Sequence, residues 1–105
     1  MEARADEVGA GWLHDRQVVN ELAVKTALVA SEAMEAVEEL LAGHTADTVY
    51  YGAEGKPEGY PVELADVVIR AFDLAWSLGI DLSAIIQEKL AFNETRGERH
   101  GGKVL

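Results

Sequence analysis

The sequence contains no cysteine, which excludes disulfides, zinc–thiolate sites and thiol catalysis. Only two prolines occur, Pro57 and Pro61, and their closeness leaves long stretches on either side free to run as helix. Positive charge is scarce: nine Lys and Arg stand against 19 Asp and Glu, for a net charge of −10. Such a surface repels a phosphate backbone and an anionic bilayer, so neither nucleic acid nor membrane is an expected partner. No apolar run approaches the roughly 20 residues that span a bilayer, and the amino terminus lacks a basic-then-apolar export signal. A cytoplasmic location is the expectation.

A chain of 105 residues that is 49% hydrophobic suits one domain, residues 1–105, with the stretches 1–11 and 97–105 expected to be flexible. Asp15 is placed to cap a helix that runs without Pro or Gly to Leu41, with Gly43 to end it. That segment reads as one long helix or as two with a kink between Asn20 and Lys25. Val18, Leu22, Val29, Ala33, Ala36 and Leu40 form its apolar stripe. Residues 43–61 have no helical period and read as a loop with a short extended piece at 48–51. A second helix begins at Pro61 or Val62 and stops at Gly79, with Leu64, Val67, Ala71, Leu74, Ala75 and Leu78 facing inward. Its other side, Ala65, Ile69, Phe72 and Trp76, is apolar too, so the helix should be covered on two faces. Asp81 or Ser83 caps a last helix through Thr95, whose inner side changes from Leu82 and Ile86 to Lys89, Asn93 and Arg96. The expected class is all-α, a helical bundle of the four-helix type.

Two acidic pairs, Glu32-x-x-Glu35 and Glu63-x-x-Asp66, interrupt the apolar runs of the first two helices. At this composition, acid pairs at i, i+3 arise by chance roughly three times, so spacing alone decides little. Laying residues 32–41 over 63–72, however, makes the acids coincide at the first and fourth positions and puts both on the shoulder of the apolar stripe. Four carboxylates facing one another need a cation, and Glu32, Glu35, Glu63 and Asp66 become candidate metal ligands. Di-iron bundles need Glu-x-x-His on two helices, a pattern missing here, which leaves a carboxylate redox centre as a minor rival. All-oxygen ligation favours Mg²⁺, with Mn²⁺ as substitute, and Mg²⁺ favours a polyphosphate substrate for which Lys89, Asn93 and Arg96 are donors. Arg70 and Asp73 read as an ion pair flanking the acids, and His14, His44 and His100 share no metal-ligand spacing.

From about Leu28 onward the chain resembles the all-α nucleoside triphosphate pyrophosphohydrolases, the MazG-like group. The motifs that carry this are Ser31-Glu32-Ala33-Met34-Glu35 and Glu63-Leu64-Ala65-Asp66, joined by Gly55-Lys56-Pro57-Glu58-Gly59. Lys89-Leu90-Ala91-Phe92-Asn93-Glu94-Thr95-Arg96 and His100-Gly101-Gly102-Lys103 extend the likeness. The resemblance implies a homodimer or homotetramer that cleaves a (d)NTP between its α and β phosphates, giving (d)NMP and pyrophosphate. Glu32 or Glu35 would serve as the catalytic group acting on water. The alternative is a non-catalytic oligomeric module that binds a nucleotide or a cation.

Overall fold

The computed structural model describes residues 10–96, and they are predominantly helical. Ala10–His14 forms a 3₁₀ turn, followed by α1 (Arg16–Leu41), β1 (Tyr50–Tyr51), a short 3₁₀ turn, β2 (Pro57–Glu58), α2 (Tyr60–Ser77) and α3 (Leu82–Thr95). Both flanks, 1–9 and 97–105, lie outside the described residues, and so do the expectations of flexibility there and any role for His100.

Asp15 caps α1 as its position suggests: its carboxylate accepts from the backbone N–H groups of Gln17 at 2.8 Å and Val18 at 3.4 Å. α1 is one helix of 26 residues, without a break between Asn20 and Lys25. It ends in a Schellman motif, with Gly43 at φ +97° and the N–H groups of Gly43 and His44 bonded to the carbonyls of Leu40 and Glu39. α2 ends the same way, with Gly79 at φ +73° and Gly79 and Ile80 bonded back to Trp76 and Ala75. The repeat seen in the acidic pairs thus extends to the way each helix stops.

Between them the chain makes a two-residue antiparallel ladder, Tyr50 opposite Glu58 and Tyr51 opposite Pro57. Gly59 then turns into α2 at φ +124°, where a Cβ would lie 2.3 Å from the Thr48 carbonyl oxygen. Only glycine fits that approach. Asp81 caps α3 through the Ala84 N–H at 3.1 Å.

α1 and α2 run antiparallel and face one another along their length: Glu32 meets Arg70, while Lys25 and Leu28 share a pocket with Leu74 and Ser77. Ala36 on α1 and Ala75 on α2 are the buried apolar side chains among the described residues. No large side chain is fully buried among the described residues. Leu40 and Leu64, expected to face inward, are 41% and 45% exposed. From Ser83 onward α3 is exposed except at Asn93, which is half-buried. The radius of gyration is 17.4 Å, against about 13 Å for a compact domain of this size. The described residues supply three α-helices, and α3 extends away from the α1–α2 seam. No described helix is long and apolar enough to cross a membrane.

Candidate metal centre

Among the described residues the most buried polar side chain is an acid. Glu32 is 8% exposed, deeper than most of the apolar stripe beside which it stands, because the α1–α2 seam closes over it. Carboxylate oxygens of Glu32, Glu63 and Asp66 lie within 4.8 Å of one another. Their placement follows from the helices: 63 and 66 are neighbours on one face of α2, and the antiparallel seam sets Glu32 opposite them. Glu63 Oε1 is buried without any hydrogen-bond partner, an arrangement that costs free energy in the absence of a cation or proton. Burial pushes the Glu63 carboxyl above its ordinary range, and the charges of Glu35, Asp66, Glu32 and Glu39 push it further.

One resident cation offsets this charge. Arg70, one turn after Asp66, donates from Nε to Glu32 Oε1 at 2.7 Å. That bond, with the charge of Glu32, holds the guanidinium above its usual pKa. The i, i+3 neighbour expected to pair with Arg70, Asp73, makes no ion pair with it; the arginine crosses the seam instead.

Glu35 stands outside the tight group. It lines an adjoining open pocket of about 470 Å³ with Glu38, Glu39, His44, Tyr50 and Glu63. In this pocket Glu39 is held by two partners: Tyr50 Oη is 3.0 Å from each of its carboxylate oxygens, and His44 Nδ1 is 2.7 Å from Oε1. The His44 and Tyr50 rings pack at 4.7 Å between centroids. His44 is thus exposed yet engaged. The Schellman turn explains its position, because that motif folds His44 back against Glu39. Burial raises the Tyr50 pKa, and the bond to Glu39 adds to it.

The chain shares a stretch of 36 residues at 53% identity with a protein named dATP/dGTP diphosphohydrolase from Cyanophage S-2L. That protein is a nucleotide hydrolase by name. The matched stretch covers 34% of this chain and 34% of the relative. No family model and no solved structure matches the chain.

Lys89 and Asn93 lie on α3 and Arg96 caps its C-terminal end, and no hydrogen bond or ion pair joins them to the acids among the described residues. Lys89 Nζ and Arg96 Cζ instead sit over the Phe92 ring, each 5.2 Å from its centroid. The site within one chain is therefore an acidic seam with Arg70 as its nearest cation. Its three converging carboxylates offer an all-oxygen donor set, which suits a hard divalent cation.

Proposed function

We propose that the protein is a Mg²⁺-dependent nucleoside triphosphate pyrophosphohydrolase of the MazG-like kind, with Mn²⁺ as a substitute, that cleaves a (d)NTP to (d)NMP and pyrophosphate. The observation that carries this reading is the convergence of Glu32, Glu63 and Asp66 around an unpartnered Glu63 oxygen, beside an open polar pocket. These three acids would hold the cation, with Glu35 as the fourth ligand or its near neighbour. When bound, the cation neutralises phosphate oxygens and acidifies water. Glu35 faces the open pocket outside the tight group, which fits it to orient the attacking water and take its proton. The water oxygen bonds to the α phosphorus, the bond from that phosphorus to the α–β bridging oxygen breaks, and the electron pair leaves with pyrophosphate.

The same reading makes the protein a homodimer or homotetramer. Val68, Ile69 and Phe72 on α2, and Ile85, Ile86 and Leu90 on α3, are exposed apolar side chains that one chain leaves uncovered. Pairing two copies through this outer face of α2 brings their α1–α2 hairpins together as a four-helix bundle. A neighbouring copy then brings Lys89, Asn93 and Arg96 to the phosphates.

Purine deoxynucleotides head the substrate panel, given the matched relative's name. Incubation with each nucleotide and Mg²⁺, followed by separation of products, should release pyrophosphate and monophosphate, with solvent ¹⁸O entering the monophosphate. Glu35→Gln and Asp66→Asn should abolish the release. Turnover of no nucleotide would leave a cation-binding module; inorganic phosphate as the first product would refute α–β cleavage.

A further inference from the structure

The acidic seam continues into a pocket that carries two basic side chains. Lys25 stands seven residues before Glu32 on α1, almost two full turns, so both lie on one face about 10 Å apart along the axis. On α2, Asp66, Arg70, Asp73 and Ser77 recur at four, three and four residues and share a stripe. The antiparallel seam brings these two rows together in a pocket of about 250 Å³ lined by Lys25, Arg70, Asp73 and Ser77 over Leu28 and Leu74.

Lys25 and Arg70 both face this pocket. Arg16, Lys25, Lys56, Arg70, Lys89 and Arg96 are the Lys and Arg side chains among the described residues. Lys25 has no ion-pair partner among those residues. Arg70 commits only its Nε to Glu32, which leaves the four N–H donors of its two terminal nitrogens for a ligand. Ser77 gives its hydroxyl proton to the Leu74 carbonyl at 2.7 Å, so the pocket's free donors are Lys25 and Arg70. Asp73, on the same wall as Arg70, removes one unit of that positive charge. A compact polyanion meets an ammonium and a forked guanidinium here, and one of those groups is tied directly to the carboxylate cluster.

We infer that the Lys25–Arg70 pocket is the subsite for the pyrophosphate half of the substrate, holding the β and γ phosphates while the α phosphate stays at the acids. This rests on the hydrolase reading above. Arg70 then has two simultaneous contacts, Nε on Glu32 and its terminal nitrogens on phosphate, and it sets the distance between cation site and leaving group. Lys25 touches only the leaving half.

The test is titration of the Mg²⁺-loaded protein with inorganic pyrophosphate, and separately with nucleoside monophosphate, by calorimetry. Lys25 is exposed on α1, so Lys25→Ala should fold as the parent. It should weaken pyrophosphate binding about tenfold, as loss of a charge-assisted contact does, and leave monophosphate binding within twofold. Asp73→Asn should tighten pyrophosphate binding. Unchanged pyrophosphate affinity in Lys25→Ala, or an equal loss for both ligands, overturns the subsite. The parent's failure to turn over any nucleotide would overturn the hydrolase reading instead, a separate result from the binding titration.

Discussion

Arg70 reaches from α2 to Glu32 on α1, its Nε 2.7 Å from Oε1, and passes over Asp73 three residues further along its own helix. The physical reason is burial. Glu32 is enclosed by the seam while Asp73 is exposed, and an enclosed carboxylate gains more from a cation than one that water already solvates.

Removing that cation should expose the imbalance. Arg70→Ala should lower the melting temperature of the metal-free protein by a few degrees, and millimolar Mg²⁺ should recover much of the loss. Arg70→Lys should fall between, because it keeps charge without the planar fork. Thermal melts with and without Mg²⁺ decide this. An unchanged metal-free melt in Arg70→Ala would mean that the bond contributes nothing.

The Glu63 carboxyl predicts a pH dependence of definite sign. Its folded pKa is raised, by burial first and then by Glu35, Asp66, Glu32 and Glu39, so the folded state binds a proton more readily than the unfolded chain. The stabilisation is complete below the unfolded carboxylate pKa and is lost as pH rises through the raised folded value. Metal-free protein should therefore gain stability from this group as pH falls from neutral towards the unfolded carboxylate pKa. Glu63→Gln should be more stable than the parent at pH 7 and should flatten that slope. A parent that loses stability over the same range, with no difference in Glu63→Gln, would contradict it.

Much of this architecture is legible in the residues. Asp15, Gly43, Gly79 and Asp81 mark the helix ends because caps are local chemistry, and all four act as caps or turn residues in the structure. The paired acids are legible through their wheel positions, and three of the four meet. What was hidden depends on how the seam closes. Periodicity put Arg70 beside Asp73, its helical neighbour, and only the antiparallel packing shows Glu32 nearer. The Glu39 clamp was missed, although Gly43 signalled it: a Schellman turn there returns His44 to Glu39. Tyr50, 11 residues beyond Glu39, gave no sequence signal. Its approach depends on the course of the loop and the β1–β2 ladder.

Gly59 tests the link between loop and site. Its φ of +124° and the 2.3 Å approach of a Cβ to the Thr48 oxygen mean that Gly59→Ala must move backbone, at a cost of about 1–3 kcal/mol. Glu63 follows one turn later, so the displacement reaches the acids. Urea unfolding should show the loss, and Mn²⁺ binding should weaken in the same variant. Full retention of both would show that the turn relaxes freely.

Tyr50 gives a spectroscopic readout of the Glu39 clamp. Burial, then the hydrogen bond to Glu39, raises its phenol above the ordinary value, so the neutral phenol's stabilisation holds below the unfolded pKa and fades as pH climbs through the folded one. Ultraviolet titration should show one of the three tyrosines ionising late. Glu39→Gln should bring that transition down part of the way, because burial remains. A titration identical in parent and variant would mean that the phenol does not feel Glu39.

The uncovered face of α2 predicts assembly. Ile69 is 55% and Val68 54% exposed, on a helix whose other side already packs on α1, and burying such side chains is worth roughly 1.5–3 kcal/mol each. Covering them against a second copy satisfies both faces, whereas a monomer leaves them in water. Light scattering on the parent should therefore give at least twice the chain mass at micromolar concentration. Ile69→Glu places a charge in that contact and should yield monomer with retained helical circular dichroism. If Lys89, Asn93 and Arg96 act on a neighbouring copy's acids, the same variant should lose turnover while still binding Mn²⁺. An active monomer would separate the site from the assembly and place the phosphate donors within one chain.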